Sequence, residues 1–407
     1  MSQRKVQIPD SLRQGQFSTQ EELLTIPTKR NKLYIGIPKE EAFQEKRVAL
    51  APTSIESLVS YGHHIVVESG AGEASNFSNH NFSEAGAEIA YSKETVFNAN
   101  IILKVAPLTL EEIEYLKPNQ IVISPIHLPT LTEEYIYRLK QKRVIALAWE
   151  YIKDESDTFP LVRTLSEMAG ISSMLTAAEL LSSSNNGRGV LLGGITGVPP
   201  SKVVILGAGV VAEFATKAAI GLGAEVRVFD NNIYKLMRLQ KVIHQPLYTS
   251  AIIPRILARE LYSADVVIGA VHSKSGRTPV IVSESMVEKM REGSVIIDVS
   301  IDQGGCFATS RLTTHDKPTF RKHGVIHYCV PNISSNVSRT ASFAVSNILT
   351  PMLLKAADAS SFERVIYKNA GLRHGIYIYK GSLTNSHIGQ RFNIKTTNLD
   401  LLISSSS

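Results

Sequence analysis

The sequence predicts an α/β protein containing two parallel-sheet units, and three observations carry that expectation. Short runs rich in Val and Ile alternate with segments of helical spacing, the pattern of strands buried on both faces and connected by helices. The alternation occurs twice, on either side of a long, weakly charged segment at 160–184. The second series opens with an apolar run that passes directly into a glycine-rich turn. A chain of 407 residues, at roughly 100–200 residues per domain, suggests two or three domains, each able to bury its own core.

The first series begins at 33–38, an apolar strand ended by Pro38. Strand-like runs follow at 64–68, 101–105, 120–124 and 143–148, with helical spacing at 53–61 and 132–141 between them. The segment 160–184 reads as one extended helix with a serine-rich end, and 187–197 as a glycine-rich loop. Strands recur at 202–206, 225–229, 265–270, 294–299 and 325–330. There is no repeat of solenoid period, and the only low-complexity stretch is 404–407.

Hydrophobic residues make up 43% of the chain and charged residues 20%, which excludes a disordered or collagenous protein. The formal charge of +6 is not spread evenly. Residues 1–32 carry a net +3 and 351–407 a net +4, leaving −1 for the body. No basic stripe interleaved with aromatics accompanies the excess, so no nucleic-acid partner is expected. Residues 1–32 lack an apolar core and read as an N-terminal extension, not a secretory signal. With two cysteines and no apolar run of about 18 residues, the expected setting is reducing, cytoplasmic and away from membranes. Neither Cys306 nor Cys329 has a partner pair at ligand spacing. Both read as small apolar fillers, and no metal is expected.

The glycine-rich turn carries the first chemistry. The run at 202–206 leads into Gly207, Ala208, Gly209, Val210, Val211 and Ala212, then a helical segment at 213–222, a strand, and Asp230. Gly207 suits a tight turn, Gly209 lets backbone approach a diphosphate, and Ala212 replaces the third glycine at a position of close helix packing. Free N–H groups at the helix start suit the anion, and a carboxylate at Asp230 suits ribose hydroxyls. Asp230 followed by two asparagines favours NAD over its 2′-phosphorylated form, which a carboxylate would repel.

At this point the chain resembles the alanine dehydrogenase family, which also includes the NAD-binding subunit of proton-translocating transhydrogenase. The matching runs include Gly36–Ile37–Pro38–Lys39–Glu40, Lys46–Arg47–Val48–Ala49–Leu50–Ala51–Pro52, Leu103–Lys104–Val105, His127–Leu128 and Ser166–Glu167–Met168–Ala169–Gly170. The longest is Ile297–Asp298–Val299–Ser300–Ile301–Asp302–Gln303–Gly304–Gly305–Cys306. Their order is kept from about residue 33 to residue 395. The resemblance implies two Rossmann-like, doubly wound domains. The substrate domain would be discontinuous, 33–160 and 339–407, around an NAD-binding domain at 161–338. It implies an NAD-dependent oxidoreductase that oxidises L-alanine to pyruvate and ammonia and runs the reverse amination, and a homohexamer.

The resemblance also assigns roles. Arg47 and Lys104 would hold the substrate carboxylate, a fork and a point charge respectively. Lys104 is unusual in its own right, lying in an otherwise apolar run. His127 would move protons on the amine and carbinolamine, and Asp302 would position the hydrolytic water. Asp298, inside an apolar run, reads as structural. Asn332 would lie with Gly207, Gly209, Ala212 and Asp230 on the cofactor side. The chain departs from the family pattern at His272–Ser273–Lys274–Ser275–Gly276–Arg277, at Ile333–Ser334, at Leu165 and around His127. Those departures bear on cofactor affinity and on the side-chain pocket. The rival readings are a relative acting on another amino or imino acid, a transhydrogenase-like subunit, and a non-catalytic NAD-binding module.

Overall fold

The computed structural model describes residues 32–273, 277–358, 364–366 and 369–404. The N-terminal extension, apart from Lys32, lies outside the described residues, as does the middle of the 272–277 loop.

Fifteen strands among the described residues form two sheets. They are β1 (Tyr34–Ile37), β2 (His64–Glu68), β3 (Glu88–Ala90), β4 (Ile101–Leu103), β5 (Ile121–Ser124), β6 (Ile145–Ala148), β7 (Lys202–Leu206) and β8 (Glu225–Phe229), followed by β9 (Tyr248–Ser250), β10 (Val266–Gly269), β11 (Val295–Asp298), β12 (Thr319–Lys322), β13 (Val325–Tyr328), β14 (Ile376–Tyr379) and β15 (Ser382–Leu383). The first sheet runs β15-β14-β6-β5-β4-β1-β2-β3 and the second β12-β13-β11-β10-β7-β8-β9. From β3 to β6, and from β9 to β13, every pairing is parallel. Each sheet thus reverses its strand order once, between β1 and β4 and between β7 and β10. In doubly wound sheets these reversals open the crevices in which ligands bind. The expected fold class is the one observed, and the first sheet is discontinuous in sequence: β14 pairs antiparallel with β6 after the whole second sheet has intervened.

The buried strands explain the architecture. β4, β5, β6, β7 and β10 are apolar on both faces except where lysine or serine ends a run, and helices cover both sides. The helix Pro160–Leu180 is shorter than the 160–184 segment read from sequence, and it is shared by both cores. Leu161 packs with the first sheet, whereas Ala169, Met174 and Ala177 pack with the second. Gly170 permits its close crossing of the helix Val210–Gly221, since a Cβ there would lie 2.4 Å from the Val211 carbonyl oxygen. A second shared element, the helix Ser338–Asp358, returns the chain to the first core through Val345, Leu349, Leu353 and Ala356. No helix among the described residues is long and apolar enough to cross a membrane.

Candidate active site between the two sheets

Most of the candidate site residues lie in the segments that follow the carboxyl ends of strands. Arg47 follows β1 and Lys104 follows β4, so the two flank the reversal of the first sheet. His127 follows β5. Gly207 follows β7, Asp230 follows β8, Asp302 follows β11 and Asn332 follows β13.

Arg47 is only 4% exposed. Its Nε and Nη2 donate to the two oxygens of Glu45 at 2.7 and 2.6 Å, and Nη1 donates to Ser334 Oγ at 3.1 Å. The same carboxylate accepts from the Arg47 backbone N–H, from Ser335 Oγ and from the Asn332 amide. Burial works against the charge of Glu45, but Arg47 and its hydrogen bonds hold the carboxyl below its ordinary range. The loop is pinned from behind: Ser342 and Ser346 on the helix Ser338–Asp358 accept from the N–H groups of Val48 and Ala51. An arginine is thereby fixed in a dry crevice with Nη1 on the side of Ser334. A guanidinium already shared with one carboxylate keeps N–H groups for a second, because it has five donors.

Lys104, which the resemblance assigns to the substrate carboxylate, is engaged with two carboxylates of the protein. Its ammonium is 0% exposed, lying 2.6 Å from Glu112 Oε1 and 3.2 Å from Glu40 Oε2. Burial opposes the charge, yet the two carboxylates more than offset it and raise the lysine pKa well above its usual value. Glu40 is pushed up to about 7 by burial, only partly countered by Lys104 and by the Val105 N–H that it accepts. The group ties the ends of β1 and β4 together. Two of the three ammonium N–H donors are thus directed at protein carboxylates, and the third is the one left for a substrate group.

His127 adopts a left-handed backbone, φ 47°. Its N–H and that of Ile126 donate to Glu150, at the end of β6, at 2.9 Å each. Its ring Nδ1 is 2.9 Å from Thr130 Oγ1, and that hydroxyl lies 3.3 Å from the His127 carbonyl oxygen, where it donates. With the hydroxyl donating to that carbonyl, it can accept from Nδ1–H in the tautomer that protonates Nδ1. Burial lowers the imidazole pKa below its ordinary value, so neutral pH leaves it a base.

On the second sheet, Asp298 folds the loop that presents Asp302. It accepts from the N–H groups of Ser300 and Cys306 and, at 2.6 Å, from Ser310 Oγ. Its structural assignment matches these bonds. Cys306 and Cys329 are buried and unpaired with each other, packing as small side chains. Asp302 Oδ1 is buried with no partner among the described residues. Burial pushes its pKa up to about 6, against the Asn332 N–H and the nearby Arg47. A buried carboxylate oxygen without a protein partner, within electrostatic reach of an arginine, is a place for a water or substrate proton. Asn332, expected on the cofactor side, divides its groups differently: its amide goes to Glu45 and its N–H to Asp302, joining the two halves of the site.

The glycine turn has the shape its sequence suggests. Gly207 sits at φ 105°, and a Cβ there would lie 2.4 Å from the Ala270 carbonyl oxygen. Around Gly209 the reverse holds, because a Cβ would meet nothing within 4 Å. The space it would fill lies at the start of the twelve-residue helix Val210–Gly221, whose cap residue supplies no side-chain acceptor. Ala212 is fully buried against the sheet. Asp230 accepts from the N–H groups of Ala208 and Asn232 at 2.7 Å each, locking the turn to the end of β8. Open space beside Gly209, a helix start without a side-chain cap and an acidic strand end fit a dinucleotide.

The structure brings Arg47, Asp302 and Asn332 into one network. The His127 loop and the turn that carries Asp302, on different sheets, border one cavity, through Pro129 on one side and Gln303 and Gly304 on the other. Reading the sequence missed Glu45, Glu112, Glu150 and Ser334. Glu45 carried a signal, a carboxylate two residues before a candidate arginine; the others are brought in by tertiary contact. Among the described residues no group of three His, Cys, Asp or Glu is placed to hold a metal ion.

Two doubly wound units facing one another over an arginine, a histidine and an orphan aspartate, one of them with a dinucleotide cradle, define a nicotinamide-dependent dehydrogenase of amino acids. Comparison with known proteins narrows that class. The profile described as "Alanine dehydrogenase/PNT, N-terminal domain" matches residues 36–171, and that described as "Alanine dehydrogenase/PNT, C-terminal domain" matches 173–386. The chain belongs to the alanine dehydrogenase/PNT family. It is 36% identical over 370 residues to the alanine dehydrogenase of Staphylococcus saprophyticus, covering 90% of this chain and 99% of that one. It is 38% identical over 364 residues to alanine dehydrogenase 2 of Staphylococcus aureus, covering 89% and 97%. A solved L-alanine dehydrogenase superposes with TM-score 0.83 at 35% identity, over 88% of this chain and 99% of that one. A transhydrogenase from Sinorhizobium meliloti shares the fold, with TM-score 0.73 at 22% identity, over 86% and 98%.

Proposed function

We propose that the protein oxidises L-alanine with NAD and water to pyruvate, ammonium, NADH and a proton, and catalyses the reverse reductive amination. The observation that carries this reading is the buried Asp302 oxygen, without a partner among the described residues and within electrostatic reach of Arg47. NAD, when bound, accepts the hydride from Cα; Gly207, Gly209, the start of the helix Val210–Gly221 and Asp230 would hold it. Arg47 takes the substrate carboxylate on the N–H groups directed away from Glu45, with Ser334 and Ser335 fixing the loop opposite. His127 Nε2 takes a proton from the substrate ammonium group and releases it to solvent, then takes one from the attacking water and returns it to the nitrogen, which leaves as ammonium. Asp302 accepts a hydrogen bond from that water and aims it at the imine carbon, after which the carbinolamine collapses to pyruvate. Burial of both groups keeps bulk water from competing and strengthens each contact.

The domain division follows the same reading: 33–160 with 339–407 as the substrate half and 161–338 as the NAD half, the first turn of the linking helix belonging to the former core. The proposed setting is the cytoplasm, and the proposed assembly a homohexamer, which sedimentation would check. The decisive assay is oxidation of NADH by the purified chain with pyruvate and ammonium. Turnover requiring both supports the proposal. Turnover with another 2-oxo acid and none with pyruvate would replace alanine as the substrate, and NADH binding without turnover on any oxo acid would favour a non-catalytic module.

A further inference from the structure

Beside the loops that carry His127 and Asp302 lies a cavity whose lining includes neither of these residues nor Arg47. It holds about 620 Å³ and is walled by both halves of the molecule. Pro129, two residues beyond His127, forms one edge, and Gln303 and Gly304, directly after Asp302, form the other. Its remaining walls are Arg277, Arg391, His387 and Gln390, and among the described residues no carboxylate lines it. A methyl side chain needs neither this volume nor two guanidinium groups.

The wall is constructed, because the segments bearing the cations are held in place. Gln303 accepts from the Ser273 N–H at 2.9 Å through its side chain and returns its amide to the Ser273 carbonyl, while its backbone carbonyl accepts from the Thr278 N–H. These bonds fasten both ends of the basic 272–277 loop to the turn that carries Asp302, and the Arg277 stem lies over Gly304, about 3.5 Å from where a Cβ would be. On the opposite side the helix Ser386–Phe392 presents His387, Gln390 and Arg391 at i, i+3 and i+4, which places them on one face. Arg391 Nη1 donates to the Leu128 carbonyl at 2.7 Å, fixing that helix to the His127 loop. Cations in a recess with no internal counter-charge favour an anion, and amide side chains beside them supply further donors.

We propose that this cavity is a subsite for a second acidic group on the substrate, so that the enzyme also takes amino acids and 2-oxo acids bearing a side-chain carboxylate. The inference rests on the dehydrogenase reading above. Arg47 holds the α-carboxylate, Asp302 and His127 stand at the reacting carbon, and Arg277 with His387 receives the distal carboxylate beyond them. The reaction is unchanged in kind: a 2-oxo diacid, ammonium, NADH and a proton give the amino diacid, water and NAD.

The test compares the full-length protein with Arg277→Ala, Arg277→Lys and His387→Ala, using pyruvate, 2-oxoglutarate and oxaloacetate with ammonium and NADH. Arg391 is left intact because it also anchors the His127 loop. The proposal expects turnover of at least one diacid, a loss of about tenfold or more in its kcat/KM in Arg277→Ala, partial recovery in Arg277→Lys, and pyruvate kinetics within about threefold of the parent. Pyruvate turnover with no diacid turnover overturns the subsite while leaving the alanine reading intact. A raised KM for NADH in the same variants, with pyruvate as substrate, assigns the cations to a cofactor phosphate and also overturns it. Inactivity on every oxo acid removes the dehydrogenase reading and this inference together.

Discussion

Asp302 and Lys104 mark the two extremes of what a buried charge does here. Asp302 keeps one oxygen without a partner among the described residues, and its pKa is raised to about 6, so under the proposed reaction it is expected to set the acid side of the pH profile. Alanine oxidation is expected to fall as pH drops through about 6, because the protonated carboxyl no longer accepts from the hydrolytic water. Asp302→Asn should lose about 10²-fold or more in kcat and with it that acidic limb, which steady-state rates between pH 5 and 9 would show. Lys104, by contrast, has both its charge partners inside the protein. Removing one member of a buried ion pair costs about 3–5 kcal/mol, so Lys104→Met should fold poorly or melt early. A variant of unchanged melting temperature but raised KM for pyruvate would assign the lysine to the substrate. In sequence the two residues looked equally functional, each a charge within a family motif. Only the positions of Glu40 and Glu112 distinguish them, and Glu112 lies on a separate helix that no local pattern connects to β4.

At the scale of elements, the turn after β7 makes a clean contrast between two glycines. Gly207→Ala places a Cβ 2.4 Å from a carbonyl oxygen at a backbone φ of 105°. The combined overpacking and strain should cost at least about 2 kcal/mol, visible as a lowered denaturation midpoint. Gly209→Ala meets no protein atom and has φ −80°, so the fold should be as stable as the parent. Its methyl group would occupy the cradle, and NADH affinity should fall about tenfold or more by fluorescence titration. Equal loss of stability in both variants would mean that Gly209 serves the turn and not a ligand. These strands and their turn were readable because each buried parallel strand is a run of Val and Ile with a sharp end. Edge strands were not: β9 is Tyr248–Ser250, three residues without an apolar run, and its pairing to β8 comes from its neighbour. β14 carried a signal, alternating Ile and Tyr at 376–379, but nothing in its sequence says that it joins a sheet begun more than 200 residues earlier.

For the whole molecule, raised carboxyl pKa values also make a statement about folding. Glu40, at about 7, and Asp302, at about 6, bind protons in the folded state that the unfolded chain releases near its ordinary values of 4.5 and 3.8. Between those limits the native state holds the more protons, so the stability due to these groups falls as pH rises through them. The contribution is complete below about pH 4 and gone above about pH 7. Urea midpoints should therefore decline from pH 5 to pH 7.5 by an amount on the order of a few kcal/mol, and the decline should flatten in Glu40→Gln combined with Asp302→Asn. A midpoint that rises over the same interval would show that the two carboxyls are already ionised in the native crevice.

The sequence alone determined the fold class, the dinucleotide turn and the family, because each depends on local order: runs of β-branched residues, glycines at fixed offsets, and motifs kept in sequence. Tertiary structure decided which charges remain for a ligand. That outcome depends on partners drawn from distant segments, among them Glu45 with Asn332, Glu40 and Glu112 with Lys104, Glu150 with the His127 loop, and Arg391 with Leu128. A charge buried in low dielectric is governed by whatever lies within a few ångströms of it, and proximity of that kind belongs to the folded chain.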